Sequence, residues 1–222
     1  MKSRLIIFGA GEIAEIAHYY FSLNSDYEIV AFTVDKEFIK QDTFCGIPVL
    51  PFEDIEIKYP PRDYNFFIAL SYSMLNLTRK NKYERAKELG YHLVSYISPL
   101  ALISKDTQIG DNCFIFENNN IQPFTRIGDN VTLWSGNHIG HHSKIGNHTF
   151  ITSHVVISGG VEIGERCFIG VNATIRDHIL IEDNCIIGAG SLILSDVKEN
   201  GVYSAGQTVR SKIPSEKILR ML

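Results

Sequence analysis

The chain has 222 residues, enough for one large domain or two small ones, and is 45% apolar and 21% charged, the balance of an ordinary globular protein. A formal net charge of −4 gives no reason to expect nucleic acid or an anionic membrane as partner. The first apolar run, LIIFGAG, breaks at glycine too early for a signal peptide or a membrane span, so a cytoplasmic protein is expected. The four cysteines, Cys45, Cys113, Cys167 and Cys185, form no C-x-x-C pair, which speaks against a disulfide framework or a zinc ribbon.

The first stretch, RLIIFGAGEIAEIAHYYF, reads as a strand, a glycine turn and a helix. Strands follow at EIVAFTVD, YNFFIAL and YHLVSYI, with a helix around RKNKYERAKELG. This alternation predicts a small α/β domain over residues 1–96, half-Rossmann-like with a mostly parallel sheet. Gly9, Gly11 and Ala14 match the G-x-G-x-x-A phosphate fingerprint, and Asp35 ends the next strand, where an acidic residue can hold a ribose hydroxyl. A full dinucleotide fold needs two such halves, and the room here suits one. That disfavours an NAD-dependent oxidoreductase and favours a nucleotide-sugar site, the glycine turn offering N–H groups and a helix N-terminus to a diphosphate. The stretch LSYSMLNLTRKNK is a further candidate for the nucleotide pocket.

From residue 97 the chain counts in sixes. Position one is isoleucine from Ile97 to Ile193, with Leu133 as the one departure. Position two is often glycine, position five is small or β-branched, and the pattern stops at Glu199. This period fits neither a helix nor a hairpin sheet. It is the hexapeptide signature of a parallel β-helix, in which each hexad makes a short strand and a corner and three hexads make a triangular coil. Residue n then stacks on residue n+18, about 4.8 Å away. The β-helix is expected over 97–204, with a tail over 205–222. Cys113, Cys167 and Cys185 fall at position five and are expected inside.

The β-helix sorts the histidines. His142, His148 and His154 fall at position four of successive hexads, near three different corners, too far apart to share a zinc ion; no metal is expected. His148 is expected to be solvated and His154 to stack on Asn172 and Gly136. His141 stands at position three, with Gly159 one coil on. A base beside an open backbone donor is what acyl transfer requires: one removes the proton of the attacking group, the other steadies the oxyanion. His142 is placed to orient His141 or to contact the sugar, and Asn137 and His138 lie on the same approach, where an acceptor could touch them. Phe116 and Trp134, one coil apart at position two, could form a trimer contact or a platform for the sugar or base, and the trimer contact is the one expected.

FGAGEIAEIA in a small α/β domain, followed by a β-helix carrying HHSKIG and SGGVEIG, resembles the bacterial sugar-nucleotide N-acetyltransferases of the left-handed β-helix (hexapeptide-repeat) acyltransferases. The subgroup is the one similar to sialic-acid O-acetyltransferases and bacillosamine N-acetyltransferases. The resemblance implies a left-handed helix, a homotrimer and no metal. It implies transfer of acetyl from acetyl-CoA to the amino group of a nucleotide-linked deoxysugar, by direct attack, for surface polysaccharide (O-antigen) or glycan synthesis. It makes His141 the base, with His142 where a carboxylate is common, and puts the backbone of Gly159 and Gly160 on the acetyl group of acetyl-CoA. The nucleotide would lie near Gly9, Gly11 and Asp35. The alternatives are a sugar O-acetyltransferase, a zinc hydratase of the gamma-carbonic-anhydrase type, and a scaffold that binds nucleotide sugar without catalysis.

Overall fold

The computed structural model describes residues 2–213 and 215–217. Strand β1 (Ser3–Phe8) lies at the centre of the first sheet, with β2 (Tyr27–Val34) and β5 (Asn65–Ile68) parallel on either side. Strand β4 (Ile47–Pro51) lies outside β2, and β6 (His92–Leu93) outside β5, both parallel. Helix α1 (Glu12–Asn24) buries Ala14, Ala17 and Phe21 on one face. On the other face lie α2 (Ile55–Lys58) and α3 (Leu77–Glu88), the latter burying Tyr83 and Ala86.

Helices on both faces make this a doubly wound sheet of five parallel strands, more than the half expected from the length. The additional parallel strand is β4, whose prolines, Pro48 and Pro51, hide it in the sequence. A further strand, β3 (Thr43–Phe44), pairs antiparallel with β4 across a two-residue turn at Cys45 and Gly46, whose φ angles are 49° and 75°. Two consecutive positive φ values are the mark of a tight hairpin turn.

The second part is a parallel β-helix of three faces. Face I runs from Tyr96–Ile97 through Phe114–Ile115, Thr132–Leu133, Phe150–Ile151 and Phe168–Ile169 to Val202–Tyr203. Face II runs from Leu102–Ile103 to Leu192–Ile193, and face III from Gln108–Ile109 to Leu180–Ile181. Strands pair at a register of eighteen, as in Phe114 with Thr132 and His138 with Val156. The isoleucine column fills the axis, each buried side chain contributing roughly 1.5–3 kcal/mol. Cys113, Cys167 and Cys185 are fully buried beside it. Burial pushes the thiols of Cys113 and Cys167 up to about 12, which leaves them inert. The last turn is two residues short. Val197, fully buried, bridges to Ile181 where the count of sixes puts Glu199.

Position four of the hexads takes a left-handed backbone. His142, His148, His154 and His178 have φ of 61°, 61°, 58° and 55°, in columns shared with Asn112, Asn130, Asn172 and Gly160. Asparagine and histidine are enriched in that region, and glycine enters it freely. The histidine-rich stretch is therefore mostly corner chemistry. His141, one place earlier, is outside this set.

The α/β domain docks on face I. The outward side chains there form an aromatic ladder at eighteen-residue spacing. Tyr96 meets Phe21 at 5.4 Å, Phe114 meets Phe67 at 5.2 Å, and Tyr72 lies on Phe150 and Phe168 at 5.1 and 4.7 Å. Phe116 belongs here too. It is buried within the chain against Tyr20 at 5.2 Å and stacks on Trp134 at 4.7 Å, so the expected trimer contact at Phe116 is a contact between domains. At the corner between faces III and I, buried Arg79 donates to the carbonyls of His148 and Thr149 at 3.2 and 3.3 Å and to the Thr132 hydroxyl. His148, expected in solvent, is buried under this docking, its Nδ1 bonded to the Asn130 amide at 2.9 Å. No helix among the described residues is long and apolar enough to cross a membrane.

Candidate active site

The glycine turn after β1 opens a cleft at the point where the strand order reverses, between the carboxyl ends of β1 and β5. It is about 430 Å³ and is lined by Gly11, Glu12, Ile13, Ala69, Leu70, Ser71 and Tyr72. Ligands of doubly wound sheets bind at such switch points. Gly9 is buried, with φ of 128°, and a Cβ on it would stand 2.6 Å from the Ala69 carbonyl oxygen; it shapes the turn. Gly11 faces open space, with no atom within 4 Å of an added Cβ. Asp35 is not brought to this cleft. Its carboxylate pairs with Lys82 of α3 at 2.5 Å, on the opposite side of the sheet from α1. A smaller hollow of about 320 Å³ lies beside the same turn, between Ala10, Val34, Phe38, Lys40, Gln41 and Val49.

The second element is the corner between faces II and III, opposite face I. It is made by the turn between strands His138–Ile139 and Lys144–Ile145. The His141 N–H is held by the Gln122 side chain at 2.9 Å. The His141 and His142 rings stand nearly perpendicular, with Nδ1 to Nδ1 at 3.0 Å, and His142 lies on Phe124 at 4.8 Å. The His141 ring covers Gly159: a Cβ there would fall 2.6 Å from its Cε1 and 2.8 Å from its Nε2.

The Gly159 amide differs from the capped amides at the corner between faces III and I. At the same hexad position, the N–H groups of Asp111, Asp129 and Glu165 are capped by side chains eighteen residues on: Asp129, Asn147 and Asp183, at 3.0, 2.9 and 2.7 Å. Gly159 has no such partner among the described residues. The Gly160 N–H is already used, donating to the His141 carbonyl at 2.8 Å, and the His178 ring covers Gly160. Of the two glycines, only Gly159 has a donor to spare. Gly140, which the sequence reading passed over, keeps that donor open: a Cβ on it would lie 2.5 Å from the Gly159 nitrogen.

Asn137 is not brought to the site. It is buried, its amide donating to the Trp134 carbonyl and its Oδ1 accepting from the Val155 N–H at 2.8 Å. His138 is half-buried on the outer side of face II, paired in register with Asn120 and Val156. His154 covers Gly136, as the eighteen-residue stacking requires. No group of three or more His, Cys, Asp or Glu among the described residues is arranged to hold a metal ion.

Two family models match this architecture. The bacterial transferase hexapeptide (six repeats) matches residues 106–140, 124–159 and 160–195, and the PglD N-terminal domain matches residues 4–86. Among solved structures, the chain is similar to the acetyltransferase domain of PglB from Neisseria gonorrhoeae FA1090, at 24% identity over 92% of this chain and 97% of that one, with a TM-score of 0.83. That domain in complex with acetyl coenzyme A matches at 24% identity and 0.81, over 92% and 97%. PerB from Caulobacter crescentus, in complex with CoA and GDP-perosamine, matches at 22% identity over 90% and 93%, with a TM-score of 0.81. At these identities the likeness establishes the fold. No curated protein matches the chain significantly. The chain thus joins a PglD N-terminal domain to a bacterial transferase hexapeptide region.

Proposed function

We propose that the protein is an acetyl-CoA-dependent N-acetyltransferase acting on the amino group of a nucleotide-linked amino-deoxysugar, in the cytoplasm, for surface polysaccharide or glycan synthesis. The observation that carries this reading is the His141 imidazole lying against the uncapped amide of Gly159 at a solvent-open corner. His141 Nε2 takes the proton as the amine nitrogen attacks the thioester carbonyl. The Gly159 N–H donates to the oxygen as it gains charge. Collapse breaks the carbon–sulfur bond, and His141 returns its proton to the departing thiolate. No covalent acyl-enzyme is needed.

A homotrimer completes the site. The nucleotide cleft belongs to the domain on face I, while His141 is on the corner opposite that face, so one chain cannot bring them together. An acceptor held near Gly9 and Gly11 of one subunit reaches His141 of its neighbour. Face II suits subunit packing. Its outward positions include exposed Leu102, Val156 and Leu192, and surplus apolar surface of this kind marks an interface. Face III carries Arg126, the Lys144–Glu162 ion pair and an open groove floored by Gly110, Gly128, Gly146 and Gly164, a basis for seating the cofactor along the β-helix between subunits.

The test is thiol release from acetyl-CoA with a panel of nucleotide-linked amino sugars and their hydroxy counterparts. Release with amino sugars alone supports the reading. Release with hydroxy sugars alone replaces it with O-acetylation. Stoichiometric zinc in the purified protein turns it towards a hydratase. No release with any acceptor leaves a nucleotide-sugar-binding scaffold.

A further inference from the structure

We infer that His142 is a positioning residue that sets the tautomer of His141, so that one proton taken up anywhere on the pair switches the base off. The inference rests on the proposed role of His141 and adds its regulation. Two imidazole nitrogens 3.0 Å apart must share one hydrogen: two would collide, and two lone pairs would repel. If the hydrogen is on His141, its Nε2 over Gly159 has a free lone pair and can act as base. If it is on His142, His141 carries its own hydrogen on Nε2 and cannot. A family member with a carboxylate in this place has a pure acceptor, which leaves no choice; here the choice exists.

The consequence follows from counting hydrogens. The neutral pair holds two, and the competent arrangement puts them on His141 Nδ1 and His142 Nε2. A third hydrogen on His141 Nε2 fills the lone pair directly. A third hydrogen carried as an imidazolium on His142 turns the shared bond round, because His142 Nδ1 then donates, and His141 is left as the Nε2–H tautomer. Either way the base is lost.

The surroundings permit this. No carboxylate lies within salt-bridge distance of either ring among the described residues. The His141 ring lies over Gly159 and the His142 ring on Phe124, neither of which titrates. The nearest titratable side chains by position are His138 and Lys144 on the adjoining strands, His178 over Gly160, and Asp177 one coil past Gly159. Phe124 beneath and the left-handed φ of 61° at His142 hold the second ring in place.

Two measurements test the inference. Histidine-labelled ¹⁵N NMR of the intact protein at neutral pH should show His141 as the Nδ1–H tautomer and His142 as Nε2–H. This readout needs no acceptor, so it stands even if the proposed activity fails. The other is the pH profile of kcat. His142→Leu removes the acceptor and should lower kcat roughly 10²-fold by releasing the tautomer. His142→Asn, which tolerates the backbone angle and puts an oxygen near where Nδ1 stood, should recover most of that loss. His142→Glu should move the acid limb up by about one pH unit, because a carboxylate favours the imidazolium. Finding His141 as Nε2–H in the wild type overturns the inference, as does a His142→Leu variant with wild-type kcat and acid limb.

Discussion

The His141 ring occupies the space where a side chain at Gly159 would stand, its Cε1 2.6 Å from an added Cβ. The obstructing atoms are the far end of a rotatable side chain, so Gly159→Ala displaces the ring and leaves the coil standing. We expect kcat to fall about 10²-fold, the scale of losing a positioned oxyanion donor or base, with an unchanged urea midpoint. Gly140→Ala contrasts with it. Its Cβ would meet backbone, at 2.5 Å from both the Ser158 carbonyl carbon and the Gly159 nitrogen. That variant should lose about 1–3 kcal/mol of stability as well as activity. Thermal melts and steady-state kinetics on the two proteins separate these outcomes.

The opposition of cleft and base makes a mixing experiment decisive. Gly11 has open space around it on the cleft wall, so Gly11→Trp should fill the cleft without disturbing the fold and raise the acceptor KM. His141→Asn should lower kcat by roughly 10²–10⁴. Each variant alone is defective. Unfolded together and reassembled in equal amounts, they should regain about a quarter of the wild-type sites, since each site draws its two halves from different chains of a cyclic oligomer. Activity no higher than that of the separate variants would show that the site is built within one chain.

Acid should loosen the join between the two domains. Burial, followed by the nearby charges of Lys80 and Arg79, lowers the His148 pKa to about 4 from its ordinary 6.5. Above pH 6.5 the ring is neutral in both folded and unfolded chains. Between 6.5 and 4 the unfolded chain takes up a proton that the folded one resists, so stability falls as pH drops through that window. The loss is on the order of 3 kcal/mol at most. His148→Asn keeps a side chain suited to the left-handed corner and able to meet Asn130, and should flatten the decline. Urea titrations of both proteins at pH 7 and pH 4.5 measure the difference.

Arg79 ties α3 to the β-helix with no carboxylate beside it; its bonds go to the His148 and Thr149 carbonyls and the Thr132 hydroxyl. Arg79→Met removes those bonds while filling much of the volume. We expect a loss of about 2–4 kcal/mol, with the α/β domain becoming sensitive to protease before the β-helix does. Equal sensitivity of the two parts would show that the clamp does not hold the domain in place.

The β-helix was legible because its physics is local and periodic. Each isoleucine of the column faces the same axis, so the count of sixes could be read without knowing any distant contact. The same arithmetic placed His141 against Gly159 and His154 against Gly136. It also contained a signal that the reading missed: Tyr96, Phe114, Phe150 and Phe168 share one outward column of face I. That stripe marks where the α/β domain docks, and it would have turned Phe116 and His148 inward from the start. Asp35 and Asn137 were misplaced for another reason. A strand's alternation decides which side of a sheet a residue takes, and the competition for Asp35 came from Lys82, a residue 47 positions away.

Sequence alone determined the prism, its eighteen-residue coil and the glycine turn of the first domain, because repeated burial of one side chain and tight backbone turns are encoded within a few residues. Tertiary structure decided which histidines are covered, and that the cleft at the glycine turn and His141 lie on opposite sides of the β-helix. Those outcomes depend on how one large surface seats on another, and no short stretch of chain carries that information.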